Sequence, residues 1–431
     1  MKRWFSLVAV VVLCLSLVVG VACGGDDDEE EAEIEIGVIG PMAYVQGEHH
    51  WYGAQLAAEE INAEGGVLVE GDSYQIKLVQ VDSNEILSPT DAASAMEKAI
   101  TRDNVDFLVG GFRTEAVFAM QDVAMDYGKI FIGCGASEPE LCERVADDYD
   151  RYKYWFRVTP INSTYLGQVD LMLVAMVAEK MKAELGIELP KVALLAEKAV
   201  WADPIVDAAN LYLPALGMEI VGEWRPSATA NEVTAELTAI EDAGAHIIFT
   251  SISGPVGIPY ATQWGELEIT AASVGINVEA QKDGFWDATG GKGNYEMTMN
   301  TYARVNITDE TIPFVDRFVE RFGELPTYCA DTYSAIYLLT AAIERAGTLD
   351  SDAVVAELEK TDTMGTAGRL VFTEDHDVTW GPGYVTGLGV QWQDGEMNCV
   401  WPPAGGAWEG VDYGGAVDYI LPPWVVEKWG P

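Results

Sequence analysis

Four histidines, six cysteines and 69 acidic side chains are the groups through which this 431-residue chain could hold a metal or carry out nucleophilic or acid–base chemistry. Their spacing argues against each. His49, His50, His246 and His376 form no His-Glu-x-x-His pair, the helical spacing that puts two imidazoles on one zinc ion. No Gly-x-Ser-x-Gly elbow is present to expose a nucleophilic serine. Gly133 and Gly135 begin a Gly-x-Gly, but Glu138 stands where the third glycine belongs, and Gly290, Gly291, Lys292 and Gly293 lack phosphate-loop spacing. Both stretches read as turns. With so many carboxylates, an acid–base pair can be drawn anywhere and carries no information. The residues therefore nominate no catalytic group, no metal site and no cofactor. His49-His50 remains notable only for its place just after the first strand.

A formal charge of −44 excludes unaided binding to nucleic acid or to an anionic membrane face, since both would repel the chain. A composition that is 49% hydrophobic, with 13 Trp and 18 Tyr, belongs to a folded body rather than an acidic disordered one. The N-terminus sets the compartment. Lys2 and Arg3 precede an apolar run from Leu7 to Ala22, then Cys23 and the acidic string Asp26 to Glu31, which is the layout of an export signal. Gly20-Val21-Ala22 before Cys23 resembles a bacterial lipoprotein signal. That resemblance implies residues 1–22 as signal peptide, Cys23 as the lipidated residue, and 23–33 as an acidic tether; an uncleaved anchor at residues 7–22 is the alternative. Either way the body lies extracytoplasmic, held at the outer face of the cell membrane. Outside the cell disulfides persist, and the short separation of Cys134 and Cys142 makes them the candidate bridge, with four unpaired buried thiols as the other reading.

The elements that must position any site follow from periodicity. Ile34 to Ile39 form an apolar strand ended by Gly40-Pro41, and Ala54, Ala57, Ala58 and Ile61 recur at helical spacing until Gly65-Gly66. The strand–helix unit repeats through the strand at Lys129 to Ile132 and again from Tyr165 to Thr250. Alternation of this kind predicts α/β architecture with parallel sheets covered on both faces. Two such series predict two Rossmann-like lobes. Passages between them near residues 157, 285 and 365 would give lobe one as 34–157 plus 285–365, lobe two as 158–284 plus 366–402, and a tail at 403–431.

Ile36-Gly37-Val38-Ile39-Gly40-Pro41-Met42, Tyr52 to Asn62 with Gly65-Gly66, Val109-Gly110-Gly111, Ser137 to Leu141, Phe156-Arg157-Val158 and Tyr333 to Leu339 together resemble the bacterial solute-binding proteins of the leucine/isoleucine/valine type. The likeness covers nearly all of residues 34–395. It implies a type I periplasmic-binding fold, with two lobes joined by three crossover strands that close on a small solute and hand it to an ABC permease. The implied protein is a lipid-anchored monomer that captures an amino acid or related carboxylate and performs no reaction. A ligand-sensing receptor module is the alternative, and a secreted hydrolase a more distant one.

In such sheets the ligand lies beyond the carboxyl ends of the strands, where helix N-termini offer unpaired N–H groups to an anion. Two loops match the family's carboxylate-binding positions: Arg113 and Thr114 after one strand, and Gly135, Ala136 and Ser137 after the next. The family usually has hydroxyls where Arg113 and Thr114 stand. Arg113 could grip a carboxylate through two parallel bonds, or pair with Glu115. Thr114 and Ser137 could equally cap helices, Ser137 with Glu140 in a capping box. In the second lobe the likeness puts Trp201 over the ligand, and Asn277 where an acid usually meets an ammonium. Trp51 and Tyr260 are further lining candidates.

Overall fold

The computed structural model describes residues 32–403 and 413–431. The signal at 1–22, Cys23 and most of the acidic tether lie outside the described residues. No helix among the described residues is long and apolar enough to cross a membrane.

The first sheet contains β1 (Glu33–Gly40), β2 (Val67–Val69), β3 (Asp72–Asp82), β4 (Phe107–Gly110), β5 (Phe131–Gly133) and β6 (Trp155–Arg157), in the order β2-β3-β1-β4-β5-β6. All neighbours are parallel except β2, a short antiparallel edge on β3. The alternation of side chains explains the unbroken apolar runs. Phe107 and Val109 enter the core on one face, with Ile36 and Val38, while Leu108 enters the core on the other, with Ile39 and Phe131. A strand covered on both faces has no polar side to show.

The second sheet holds β7 (Lys191–Ala196), β8 (Glu219–Trp224), β9 (Ile247–Ile252), β10 (Ala272–Asn277) and β11 (Met297–Asn300). After the small ribbon β12 (Asp362–Met364) and β13 (Arg369–Val371), the strands β14 (Leu388–Gln393) and β15 (Glu396–Trp401) complete it, in the order β15-β14-β11-β10-β9-β7-β8. β14 and β15 run antiparallel, so this sheet is mixed where the periodicity predicted parallel strands.

Two boundaries move. β11 pairs with β10, so residues 297–300 still build the second sheet and the chain leaves it after Asn300 rather than near 285. The return is complete only at Leu388, beyond the expected 365, because β12 and β13 form a ribbon of their own. The described part of the tail packs on the second lobe. Its helix Pro423–Trp429 donates the Trp424 and Trp429 ring N–H groups to the carbonyls of Ile269 and Thr270 at 2.9 and 2.6 Å.

The candidate disulfide does not form: Cys134, Cys142, Cys329 and Cys399 are all free and buried. The reason is the sheet itself. Cys134 lies in the core on one face of the first sheet and Cys142 in the core on the other, where its sulfur accepts the Trp155 ring N–H at 3.3 Å.

Candidate binding cleft

The carboxyl ends of the strands in both sheets lead to one cavity. From the first lobe come Phe112, Thr114, Gly135, Ser137 and Tyr328; the passages between lobes supply Pro160 and Thr301. The second lobe adds Leu166, Trp201, Ser253, Ile276, Val278, Gln281 and Met299. Among the described residues, no ionisable side chain except the Tyr328 phenol is on that wall.

Two first-lobe loops are pressed together because glycine lets them. A Cβ on Gly110, whose φ is +114°, would fall 2.1 Å from the Ile39 carbonyl oxygen, and one on Gly135 would fall 2.3 Å from that of Gly111. Behind them lies Glu85, which the sequence reading missed. Its buried carboxylate accepts from the backbone N–H groups of Phe112 and Arg113 at 3.0 and 2.8 Å and from the Ser83 hydroxyl at 2.9 Å. Burial pushes its carboxyl up to about 7. The N–H groups of Thr114, Ala136 and Ser137 remain without an acceptor among the described residues.

Thr114 and Ser137 both line the cavity, and neither is a cap. The helix Thr114–Asp126 follows Arg113, and Glu140–Asp147 follows Pro139, with no side-chain cap on either. The Ser137 hydroxyl lies 2.9 Å from that of Ser163. Ala136 turns its methyl into the core and its carbonyl toward Arg157. Arg157 is fully buried and paired with Asp377 through Nε at 2.8 Å and Nη2 at 2.5 Å. It also donates to the Glu138 carbonyl at 2.8 Å, so it ties the 135–138 loop to the passage at residue 377.

Arg113 does not reach the cavity wall. Its Nε lies 3.1 Å from Glu115, its Nη1 3.5 Å from Glu197, and its Nη2 3.4 Å from the Lys198 carbonyl oxygen. The expected pairing with Glu115 is present, joined by a contact with the second lobe. Glu197, also missed, is fully buried. It accepts from the Trp201 ring N–H at 3.0 Å, the Ser253 hydroxyl at 2.6 Å, and the N–H groups of Ser253 and Gly254 at 3.0 and 2.7 Å. That network fixes Trp201 and Ser253 on the wall.

Three sequence candidates stand elsewhere. Asn277 is buried behind the wall, where its amide donates to Glu296 at 2.7 Å and its oxygen accepts from Glu279 N–H at 3.2 Å; its neighbours Ile276 and Val278 face the cavity instead. Tyr260 lies in the second-lobe core, its hydroxyl 2.8 Å from Ser273. Trp51 is half-buried against the first-lobe core. Among the wall residues not anticipated, Ser253 and Thr301 directly follow the ends of β9 and β11, whereas Gln281 closes the short helical turn Val278–Gln281 after β10. The strand-end rule that nominated Thr114 and Ser137 could have found Ser253 and Thr301, had those strand ends been placed to within a residue; Gln281 lies too far past its strand for that rule.

Two α/β lobes whose strand ends converge on a cavity lined by uncharged side chains define a binding protein of the type I periplasmic architecture. The chain belongs to the periplasmic binding protein family, whose model matches residues 33–395. It is 22% identical over 396 residues to the Leu/Ile/Val-binding protein homolog 7 of Brucella abortus, covering 86% of this chain and 92% of that one. It is 25% identical over 351 residues to an amino acid binding protein of Pseudomonas aeruginosa, covering 80% and 88%. Its fold resembles that of the branched-chain amino acid substrate-binding protein LivJ from Streptococcus pneumoniae, in complex with isoleucine, with a TM-score of 0.70, 20% identity and coverage of 85% and 97%. The chain is thus a solute-binding protein of an extracytoplasmic family and not an enzyme.

Proposed function

We propose that this protein captures an amino acid or related small carboxylate between its lobes and delivers it to an ABC permease, from a position held at the membrane by a lipid on Cys23. The observation that carries this reading is the pair of adjoining first-lobe loops. Thr114 and Ser137 bring hydroxyls to the cavity, and the N–H groups of Thr114, Ala136 and Ser137 have no acceptor among the described residues. A carboxylate that accepts several such donors is held by charge-assisted bonds, and the helix beginning at Thr114 adds its dipole. The apolar remainder of the solute would meet Trp201, Leu166, Ile276 and Met299.

The expected cycle is hinge closure: the first lobe takes the carboxylate, and the second closes over the rest. Isothermal titration against amino acids, aliphatic and aromatic acids, dicarboxylates and small amides tests it. A carboxylate should bind, and Ser137→Ala combined with Thr114→Val should weaken it about tenfold or more, since charge-assisted bonds are lost. Binding of amides with indifference to acids would overturn the reading. Labelled-palmitate incorporation, lost in Cys23→Ser, tests the anchor.

A further inference from the structure

Among the described residues the wall of the cleft has no carboxylate for an ammonium group, and Glu85, Glu197, Glu279 and Glu296 behind it are bonded to other donors. Glu85 holds three donors. Glu197 holds four, with Arg113 as a fifth. Glu279 pairs with Lys282 at 2.5 Å. Glu296 is fully buried, accepts from Asn277, and is pushed up to about 8 by burial. Asp170, one helical turn beyond Leu166, is fully buried and absent from the wall; neither of its oxygens has a partner among the described residues, and burial pushes its carboxyl well up, toward the form that carries no charge for an ammonium. A solute ammonium would lose its water here and gain no opposite charge, which is costly.

A second observation concerns Gln281. It lines the cavity and is only 1% exposed. Its Nε2 donates to the Met299 carbonyl at 2.8 Å, which fixes the orientation of the amide. Its Oε1 is then a buried acceptor with no partner among the described residues. An unpaired buried acceptor favours whichever ligand brings a donor to it.

We propose that the cleft is specific for a small monocarboxylate that carries no ammonium and presents an uncharged O–H or N–H donor to Gln281 Oε1. The chemical class is a hydroxy acid, or an acid with a neutral amide, on an apolar aliphatic or aromatic body. This rests on the reading that a carboxylate docks at Thr114 and Ser137, and adds what the far end of the solute must be. Gln281 is the specificity-determining residue.

The test is titration calorimetry on the full chain with five probes: L-leucine, 2-hydroxy-4-methylpentanoate and 4-methylpentanoate as one matched series, and 4-hydroxybenzoate and benzoate as another. In at least one series the hydroxylated acid should bind about tenfold or more tighter than its deoxy partner, and L-leucine should be the weakest of its series. Gln281→Met should erase the hydroxyl advantage while leaving the deoxy acid's affinity nearly unchanged. Gln281→Glu should shift preference toward L-leucine by supplying the missing charge. If L-leucine binds as tightly as its hydroxy analogue, the exclusion of ammonium is wrong, and loss of that binding in Asp170→Asn would name its partner. If hydroxylated and deoxy acids bind alike, or the advantage survives in Gln281→Met, the role of Gln281 is wrong. In each of those cases the carboxylate site stands; if none of the five binds, both readings fall.

Discussion

Arg113 and Glu197 face each other across the cleft, Nη1 to Oε1 at 3.5 Å, and so join the loop after β4 in the first lobe to the loop after β7 in the second. Glu115 adds a second tie by accepting the Val200 N–H at 3.2 Å. These contacts exist only while the lobes are together.

Arg113 therefore acts on closure rather than on a particular solute. Arg113→Ser should weaken all solutes alike, by roughly fivefold, as expected when a partly buried contact worth about 1 kcal/mol is removed. Calorimetry across a ligand panel checks this. A loss confined to dicarboxylates would return Arg113 to direct ligand contact.

Glu197 should matter more than any wall residue for the integrity of the second lobe. Glu197→Ala strands the Trp201 ring N–H, two backbone N–H groups and the Arg113 cation, and a broken buried charge network costs about 3 kcal/mol or more. Urea denaturation should show the loss, and solute affinity should fall with it. Glu197→Gln keeps the shape and should lose less of both.

Stability should depend on pH in a direction opposite to that of ion-paired carboxylates. Burial pushes Glu85 and Glu138 up to about 7, Glu296 to about 8 and Asp331 to about 6. Each keeps a proton in the folded chain where the unfolded chain has released it, so stability falls as pH rises from about 5 to about 8. His50, pulled down to about 4 by burial, works the other way, its contribution being lost as pH falls below its ordinary 6.5. The melting temperature should thus be higher near about pH 6 than near about pH 8. Glu296→Gln should shrink that difference, and a Tm rising from pH 6 to pH 8 would refute the account.

Reducing agent should leave the melting temperature unchanged. Cys134 and Cys142 are buried on opposite faces of a sheet, and burial raises both thiols. Mass spectrometry after alkylation should find them modified only when the chain is unfolded. A 134–142 crosslinked peptide from native protein would contradict the structure.

Much of the architecture was legible in the chain itself, because the hydrophobic period is a local property. The run Ile34 to Ile39 and the helical spacing from Ala54 to Ile61 identify a strand and a helix without reference to anything distant, and their repetition implies two α/β lobes. Thr114 and Ser137 were legible for a related reason: each closely follows a strand, and in a parallel sheet strand ends are where ligands lie. Tertiary structure alone decided the rest. Residue-type spacing could not show that Cys134 and Cys142 fall on opposite faces, nor that β11 continues the second sheet and carries the passage past Asn300. Nor could it show that Arg113 is drawn to Glu197, 84 residues away, or that Gln281 keeps an unpaired oxygen. Those outcomes depend on which groups meet after the chain has closed, and burial then sets whether a charge is paired, a proton retained or an acceptor left for the solute.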